Sequence, residues 1–336
     1  MNGARDSMYD HLQHLTDRRG LFEHADGTEP RLEHGYCTDD NARLLVVTGR
    51  DPDSSVARGL GRSALEFVLG AQDIDGRCRN RMDLTGEWTD AATTQDCWGR
   101  GLWALGETAV AHHDPSVRRR ALRAFERGAR RRSPWSRSMA FAALGASAVL
   151  QHDPDDLVAR TLLIDALRLI GPVPAGNWAW PEPRLRYANA MLAEAVIAAG
   201  AALDRPADVD RGLAMLAWLL QLETANGHLS VTGTDGRGPG DVGPQFDQQP
   251  IEVAAMADAC WRAHGLTGDA LWSRGVKAAA GWFTGDNDAG LSMIDDVSGG
   301  GFDGLHADRV NLNQGAESTL ALVSTMQRAR SFAAAA

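Results

Sequence analysis

Lysine is nearly absent from this chain, and acidic residues outnumber basic ones. Lys277 is the single lysine, the other basic residues are arginines, and the net charge is −10. A surface that attracts nucleic acid or an anionic membrane needs an excess of positive charge. The chain also lacks an apolar run long enough to span a membrane and an apolar leader at its start. We therefore expect a cytoplasmic protein with neither a nucleic-acid nor a membrane partner.

Cysteine is also infrequent, with four residues and no CxxC pair among them. Structural metal sites and disulfide frameworks usually depend on paired or regularly spaced cysteines. No glycine-rich segment follows a strand and opens a helix in the way that a nucleotide site requires. The sequence therefore predicts no metal and no cofactor.

Helical periodicity dominates the remainder, because apolar residues recur at steps of three and four. Two kinds of helix alternate. Amphipathic, charged helices, typical of elements with one wet face, are predicted at 5–17, 54–72, 115–131, 155–170, 207–222 and 268–284. Helices rich in Ala, Gly and Leu, typical of enclosed elements, are predicted at 39–49, 96–112, 136–150, 185–203, 250–264 and 313–329. This alternation predicts an all-α fold, an (α/α)6 barrel, as a single domain over residues 1–336.

A polar cluster stands directly before or at the start of each Ala-rich helix. The clusters occupy 33–41, 94–98, 135–138, 180–189, 245–250 and 311–315. If the Ala-rich helices form the inner ring, these clusters meet at one mouth. The long links 73–94, 171–184, 223–248 and 285–312 lie on the same side, and long loops with polar residues usually carry function. The sequence therefore predicts a pocket for a polar ligand at this mouth.

Carboxylates at the helix starts are the candidates for catalysis. Asp40 and Asp96 can serve either as N-caps or as pocket acids. Glu252 occupies a capping-box position, which leaves Asp247 as the better site candidate of its cluster. Glu317 lies one turn inside an apolar helix, where a carboxylate must be paired or functional. We take Asp40, Asp96, Asp247 and Glu317 as the candidate catalytic residues.

Histidines precede the first and the last inner helix. A closed ring makes these two helices neighbours, so His34 and His306 are expected to lie close together. They can act as a general acid–base pair, or they can bind ligand hydroxyls or loop backbone.

The tryptophan content favours a sugar ligand, because aromatic rings stack on the apolar face of a pyranose. The chain has ten tryptophans and three tyrosines. Trp88, Trp98, Trp135, Trp178 and Trp180 are expected at the mouth. The other residues expected to bind substrate are Tyr36, Asp39, Asn41, Gln95, Arg137, Glu182, Tyr187, Asn189, Gln248, Gln249, Asp303, Arg309, Asn313 and Gln314.

Three motifs carry a resemblance to a known group of proteins. They are HGYCTDDNAR at 34–43, QFDQQP at 245–250 and GLHADRVNLNQGAES at 304–318. The chain resembles, over nearly its whole length, a bacterial group of (α/α)6 proteins described as glycosidase-like or as domains attached to glycosyltransferases. That group is similar to neighbours of β-mannoside phosphorylases. The resemblance implies a carbohydrate ligand, mannose-containing glycans among the options, and a glycosyltransferase as a partner. It also implies that relatives often carry an acid where this chain has Ala188.

Taken together, these features favour a glycoside hydrolase that acts on an oligosaccharide with inversion. Inversion requires two carboxyl groups ~6.5–9.5 Å apart, against ~5–5.5 Å for retention. A phosphorylase would instead use the arginines to bind phosphate. Two further alternatives stay open: a sugar epimerase or isomerase that uses His34 and His306, and a noncatalytic carbohydrate-binding barrel.

Overall fold

The computed structural model describes residues 6–333. The helices are α1 (Asp10–His14), α2 (Thr38–Gly49), α3 (Ser55–Ala71), α4 (Asp96–Ala111), α5 (Pro115–Gly128), α6 (Ser136–His152), α7 (Leu157–Ile170), α8 (Ala190–Ala202), α9 (Pro206–Leu222), α10 (Pro250–Thr267), α11 (Ala270–Phe283) and α12 (Ala316–Ala333). Two 3-10 turns lie at Ser7–Tyr9 and Leu32–His34.

The links between the helices contain four antiparallel two-stranded ribbons. Their strands pair as β1 (Ala25–Asp26) with β2 (Glu29–Pro30), β3 (Tyr36–Cys37) with β4 (Arg81–Met82), β5 (Thr224–Ala225) with β6 (His228–Leu229), and β7 (Gly304–Leu305) with β8 (Val310–Asn311). The ribbon β3–β4 leads directly into α2, and β7–β8 lies shortly before α12. The ribbons therefore help to hold the loops around the polar clusters.

Six helices, α2, α4, α6, α8, α10 and α12, form a closed inner ring. Each contacts the next, and α12 contacts α2. Helices α3, α5, α7, α9 and α11 each pack against the inner helix that precedes them, and α1 packs against α12. Each outer helix carries the chain back, so all inner helices run in one direction and their N-termini share one end, which we call the mouth. The prediction of an (α/α)6 barrel is confirmed.

Two predicted helices are shorter in the structure. The segment 5–17 contains the 3-10 turn Ser7–Tyr9 and the short helix α1, and the helix ends before Thr16, which pairs with Leu21 across a tight turn. The segment 185–203 becomes helical only at α8. Leu185 pairs with Arg237 in an isolated bridge, and Ala188 adopts a φ of 47°. A left-handed residue cannot continue an α-helix, so α8 begins after it.

The end of the barrel opposite the mouth is closed by a buried ion cluster. The Asp258 carboxylate contacts Arg328 Nε at 2.5 Å and Arg50 Nη1 at 3.1 Å. Burial alone would raise the pKa of Asp258, but the two guanidinium groups outweigh it and hold the pKa well below its usual range. A cavity of about 50 Å³ has Asp258, Arg43 and Glu317 among its lining residues.

Among residues 6–333, no helix combines the length and the apolar character that crossing a membrane would require.

Glycines bring α4 and α6 into close contact. A Cβ atom at Gly145 would lie 2.2 Å from the Leu102 carbonyl oxygen, and one at Gly106 would lie 2.5 Å from the Gly145 carbonyl oxygen. Such distances leave no room for a side chain. Glycine destabilises a helix relative to alanine, but at these two positions it allows the backbones of α4 and α6 to pack closely.

We expect Gly145→Ala to lower the free energy of unfolding by ~1–3 kcal/mol, because α4 and α6 must separate to admit the methyl group. Gly59 in α3 is the matched control, since nothing lies within 4 Å of a Cβ built there. Gly59→Ala should stabilise the protein by roughly 0.5–1 kcal/mol through helix propensity. Chemical denaturation measures both, and equal effects of the two variants would contradict the close packing of α4 and α6.

Candidate active site

Arg43 joins two of the candidate catalytic acids across the junction of α2 and α12. Its Nη1 contacts Asp40, and its Nη2 lies 2.6 Å from Glu317 Oε2. The Cys37 thiol donates to the second Asp40 oxygen at 3.0 Å. Burial raises the pKa of Asp40 above its usual value, although Arg43 opposes the shift. Asp40 is enclosed, whereas the Glu317 side chain is 41% exposed, so Glu317 is the acid of this pair that a ligand can reach.

Neither Asp39 nor Asp40 caps α2 with its own side chain. The Cys37 sulfur accepts from the Asp40 N–H, and Asn80 Oδ1 accepts from the N–H groups of Thr38 and Asp39 at 3.1 and 3.3 Å. The cap is thus supplied from the link before β4. Both aspartates remain available for other contacts.

Glu23 is a mouth carboxylate that the sequence analysis did not identify. A carboxylate oxygen of Glu23, the Cys37 sulfur and an Asp40 oxygen lie within 4.8 Å of one another, the spacing of a possible metal-ligand group. However, Arg81 already pairs with Glu23, and Arg43 with Asp40. Glu23 precedes β1 in an irregular segment, where neither periodicity nor a motif distinguishes it from other surface acids.

A second cluster surrounds Asp96 at the start of α4. One carboxylate oxygen accepts from Ser138 Oγ at 2.7 Å and the other from Tyr187 OH at 2.9 Å. Arg100 lies 3.6 Å from Asp96 and 2.8 Å from Asp39, so it neutralises both acids. The preceding residue occupies the N-cap position of α4, and Asp96 is the first residue of the helix. Asp96 therefore faces hydroxyl groups of neighbouring elements rather than capping its own helix.

Glu252 caps the neighbouring helix α8, which corrects the capping-box interpretation. Its carboxylate accepts from the Ala188 N–H and, at 3.1 and 2.9 Å, from the backbone and side-chain N–H groups of Asn189. Burial and the nearby Glu223 raise the pKa of Glu252 to about 8, although the N–H donors oppose the shift. Arg137 donates to Asn189 Oδ1 at 3.1 Å and to Glu182 Oε1 at 2.7 Å. Arg137 therefore links Glu182 and Asn189 in a hydrogen-bonded group that lies next to the start of α8.

Asp247 lies at the mouth with one unpaired oxygen. Within residues 6–333, no donor bonds its buried Oδ1, and His306 Nδ1 is 4.0 Å away. Burial raises the pKa of Asp247, His306 opposes the shift and Asp303 adds to it. Asp303 itself caps α12, since it accepts from the Gly315 N–H at 2.8 Å and from Ser318 Oγ at 2.6 Å. A half-buried, unpaired acid with a raised pKa is typical of a proton donor.

The expected pairing of His34 with His306 is not formed. The His34 ring packs edge-on against His24, with 4.9 Å between the centroids, and lies 3.8 Å from Glu33. Among the described residues, no contact joins His34 to His306. The reason is that the 3-10 turn before β3 carries His34 to the exposed rim.

Three predicted sugar-binding tryptophans lie behind the mouth. Trp98 and Trp180 are fully buried. Trp180 stacks on Trp218 of α9 with 5.9 Å between the centroids, and Trp178 packs edge-on against the same ring. The Trp178 indole also donates to the Glu182 carbonyl at 2.7 Å. Trp178 and Trp180 thus anchor the link 171–184 onto an outer helix. Trp88 likewise packs, half-buried, against Phe67.

Four further predicted ligand residues are buried and bonded within the protein. They are Tyr36, Asn41, Gln248 and Gln314. Gln248, for example, donates to Asp288 at 2.6 Å and accepts from Trp282 at 3.1 Å. Of the remaining predictions, Gln95 and Arg309 are exposed, while Gln249 and Asn313 are partly exposed. Arg309 pairs with Asp308 on the rim, and Asn313 Oδ1 accepts from a loop N–H at 3.0 Å.

A cleft of about 430 Å³ opens beside the mouth between segments 184–187 and 232–236. Tyr187, Gln249 and Glu252 are among its lining residues. The Tyr187 side chain reaches from this cleft to Asp96, and Arg137 lies 4.8 Å from its ring centroid. Tyr187 therefore connects this cleft to Asp96 by a direct hydrogen bond.

Ring order places the helix that begins at Asp96 across the mouth from the helix that follows Asp247. Helices α4 and α10 are three places apart in the ring of six, so their N-termini face one another. Asp96 is held by hydroxyl and guanidinium donors, whereas Asp247 has an unpaired oxygen. Two carboxyl groups in unlike surroundings, on opposite sides of one opening, can divide acid and base roles.

No protein-family model matches the chain, and no curated protein is similar to it in sequence. Solved structures do resemble it. A sugar epimerase from a ruminal bacterium matches with a TM-score of 0.73 at 14% identity over 98% of both chains. Cellobiose 2-epimerase from Bacillus thermoamylovorans B4167 matches with a TM-score of 0.69 at 11% identity, over 97% of this chain and 98% of the other. The GH76A α-1,6-mannanase from Salegentibacter sp. HEL1_6 matches with a TM-score of 0.64 at 15% identity, over 97% of this chain and 98% of the other. At these identities the likeness establishes the fold.

We expect Arg43→Met to cost roughly 3–5 kcal/mol of stability, because it leaves the Asp40 carboxylate buried without its partner. The double variant Arg43→Met/Asp40→Asn should recover part of that loss. Arg120→Met is the matched control, since Arg120 forms a comparable two-point pair with Glu66 on the exposed surface. That control should cost at most about 1 kcal/mol. Similar unfolding midpoints for Arg43→Met and Arg120→Met would contradict the buried role of Arg43.

Proposed function

We propose that this protein is a carbohydrate-processing enzyme, and specifically a glycoside hydrolase that cleaves an oligosaccharide with inversion. Similar folds belong to a sugar epimerase and an α-1,6-mannanase, both of which act on sugars. The acid-rich mouth and the adjoining cleft support a hydroxyl-rich ligand, because carboxylates and amides readily accept hydrogen bonds from hydroxyl groups.

The state of Asp247 carries the proposal. Its raised pKa and its unpaired oxygen suit a group that holds a proton and donates it to the glycosidic oxygen. Its distance of 4.0 Å from His306 Nδ1 leaves that histidine close enough to adjust the charge on the carboxyl group. In this role Asp247 protonates the leaving group as the bond to the anomeric carbon breaks.

Asp96 is the proposed general base. Arg100, Tyr187 and Ser138 all offer donors to its carboxylate and hold it in a fixed position. It would accept a proton from a water molecule as that water attacks the anomeric carbon from the face opposite Asp247. The water oxygen then forms the new bond, and the leaving sugar takes the proton from Asp247. Glu317, exposed beside Arg43, is the proposed ligand for a substrate hydroxyl.

A sugar epimerase or isomerase is the second candidate. The Asp247–His306 contact favours it, because a histidine next to a carboxylate can move a proton to and from a sugar carbon. His34 does not join this pair, so the base on the opposite side would have to be Asp96. The glycosyltransferase partner stays a prediction from the resemblance.

We expect Asp247→Asn and Asp96→Asn each to lower turnover by ~10²–10⁴-fold on the best substrate of an oligosaccharide panel, because each removes a general acid or base. The melting temperature and sugar affinity should change little. Reducing-end release and product chromatography measure this, with and without phosphate. Asp308→Asn is the control, since Asp308 is an exposed rim acid paired only with Arg309.

Release of a reducing sugar without phosphate supports hydrolysis. A requirement for phosphate would indicate phosphorolysis, and altered configuration with every glycosidic bond intact would indicate epimerisation. Full activity in both aspartate variants would overturn the assignment of the two residues.

The raised pKa of Asp247 determines the direction in which activity changes with pH. A general acid works only while protonated, so kcat/KM should fall as pH rises through the pKa of Asp247, which lies above the usual aspartate value. Because the pKa of Asp247 is raised in the folded protein, the protonated carboxyl group also contributes to the free energy of unfolding. This contribution is lost as the pH rises through that pKa. Asp247→Glu should keep an alkaline limb at a shifted pH, whereas Asp247→Asn should lose it. An unchanged limb in Asp247→Asn would assign that limb to another group.

A further inference from the structure

Trp135 is the one exposed tryptophan of the ten. Its exposed fraction is 60%, whereas the other nine are buried or half-buried. Among the described residues, no hydrogen bond or ring contact involves its indole. Trp135 therefore presents a large, rigid aromatic surface to solvent, and exposed aromatic groups of this kind often mark binding sites.

The position of Trp135 ties it to the candidate active site. It occupies the N-cap position of α6, and its carbonyl accepts from the Met139 N–H at 3.1 Å. The same first turn carries Ser138, which donates to Asp96, and Arg137, which donates to the Tyr187 carbonyl at 2.5 Å. Trp135 thus lies at the mouth end of α6, three residues or about 4.5 Å of helical rise before the residue whose side chain bonds Asp96.

The surroundings of Trp135 fit a sugar better than a protein partner. Segment 129–138 contains no other exposed large apolar side chain, and Arg130 and Arg131 nearby are exposed and charged. A stable protein interface usually buries ~800 Å² on each side around several anchors. A single indole among polar groups instead matches the size of one pyranose ring, whose apolar face stacks on an aromatic ring.

We propose that Trp135 forms an outer sugar subsite, which binds a unit of the oligosaccharide beyond the two sugars that flank the cleaved bond. This inference rests on the proposed function and adds a substrate class to it. The enzyme acts on chains of three or more sugars in preference to disaccharides. Trp135 is a specificity-determining residue in this account, and the chemistry stays with Asp96 and Asp247.

The dependence of kcat/KM on the length of the oligosaccharide tests this proposal directly. For Trp135→Ala we expect kcat/KM on tri- and tetrasaccharides to fall about tenfold, mainly through a higher KM, because stacking contributes to ground state and transition state alike. Activity on the matching disaccharide should be unchanged. Trp135→Phe should restore most of the loss. Leu157→Ala is the control, since Leu157 is an exposed apolar residue that begins the outer helix α7.

A second readout does not depend on turnover. Iodide should quench mainly the Trp135 emission, and a tetrasaccharide should protect it while a monosaccharide does not. Trp135→Phe should lose the protected component. Protection by the tetrasaccharide supports the subsite even if no substrate is cleaved, in which case the hydrolase proposal alone fails. Equal kinetics of Trp135→Ala and wild type on all chain lengths, or iodide quenching that no oligosaccharide changes, would overturn the subsite while leaving the hydrolase proposal standing.

Discussion

The shared direction of the six inner helices is the constraint on which the rest of the structure depends. Every inner helix places its N-terminus at the mouth, and each N-terminus carries unsatisfied N–H groups and partial positive charge. These groups must be satisfied where the loops meet. Asn80 does this for α2, Glu252 for α8 and Asp303 for α12. The abundance of acids and amides at the mouth follows from the fold before any ligand is considered.

Acids beyond those that cap the helices must be neutralised in another way, and arginine does this. Arg43 holds Asp40 and Glu317, Arg100 holds Asp39 and Asp96, and Arg137 holds Glu182. Arg43 and Arg100 lie about one turn inside α2 and α4, whereas Arg137 lies in the first turn of α6. Asp247 is the exception, since its nearest basic side chain among residues 6–333 is His306, whose Nδ1 lies 4.0 Å away. Asp247 therefore lies in surroundings unlike those of the arginine-paired acids, and carboxyl groups in unlike surroundings can divide acid and base roles.

The inner ring was predictable from sequence because the helical spacing of apolar residues and the high content of small residues indicate which helices are buried. The positions of individual side chains were less predictable, since they depend on links whose course is set by tertiary contacts. Trp178 and Trp180 look like mouth residues in sequence, yet they pack onto Trp218 of an outer helix. Glu252 has the spacing of a capping-box residue, but its carboxylate reaches another helix. Glu23 carries no local signal in the sequence, because an irregular segment that bridges Phe22 to Tyr36 brings it beside the start of α2.

The central claim is that Asp96 and Asp247 act from opposite sides of one sugar. Proton NMR of the anomeric signal in the first minutes of cleavage tests it most directly. The account predicts that the newly released reducing end appears with the anomeric configuration opposite to that of the cleaved bond, before mutarotation mixes the two forms. A product released with the original configuration would contradict it, because retention requires the closer carboxylate pair of a double displacement.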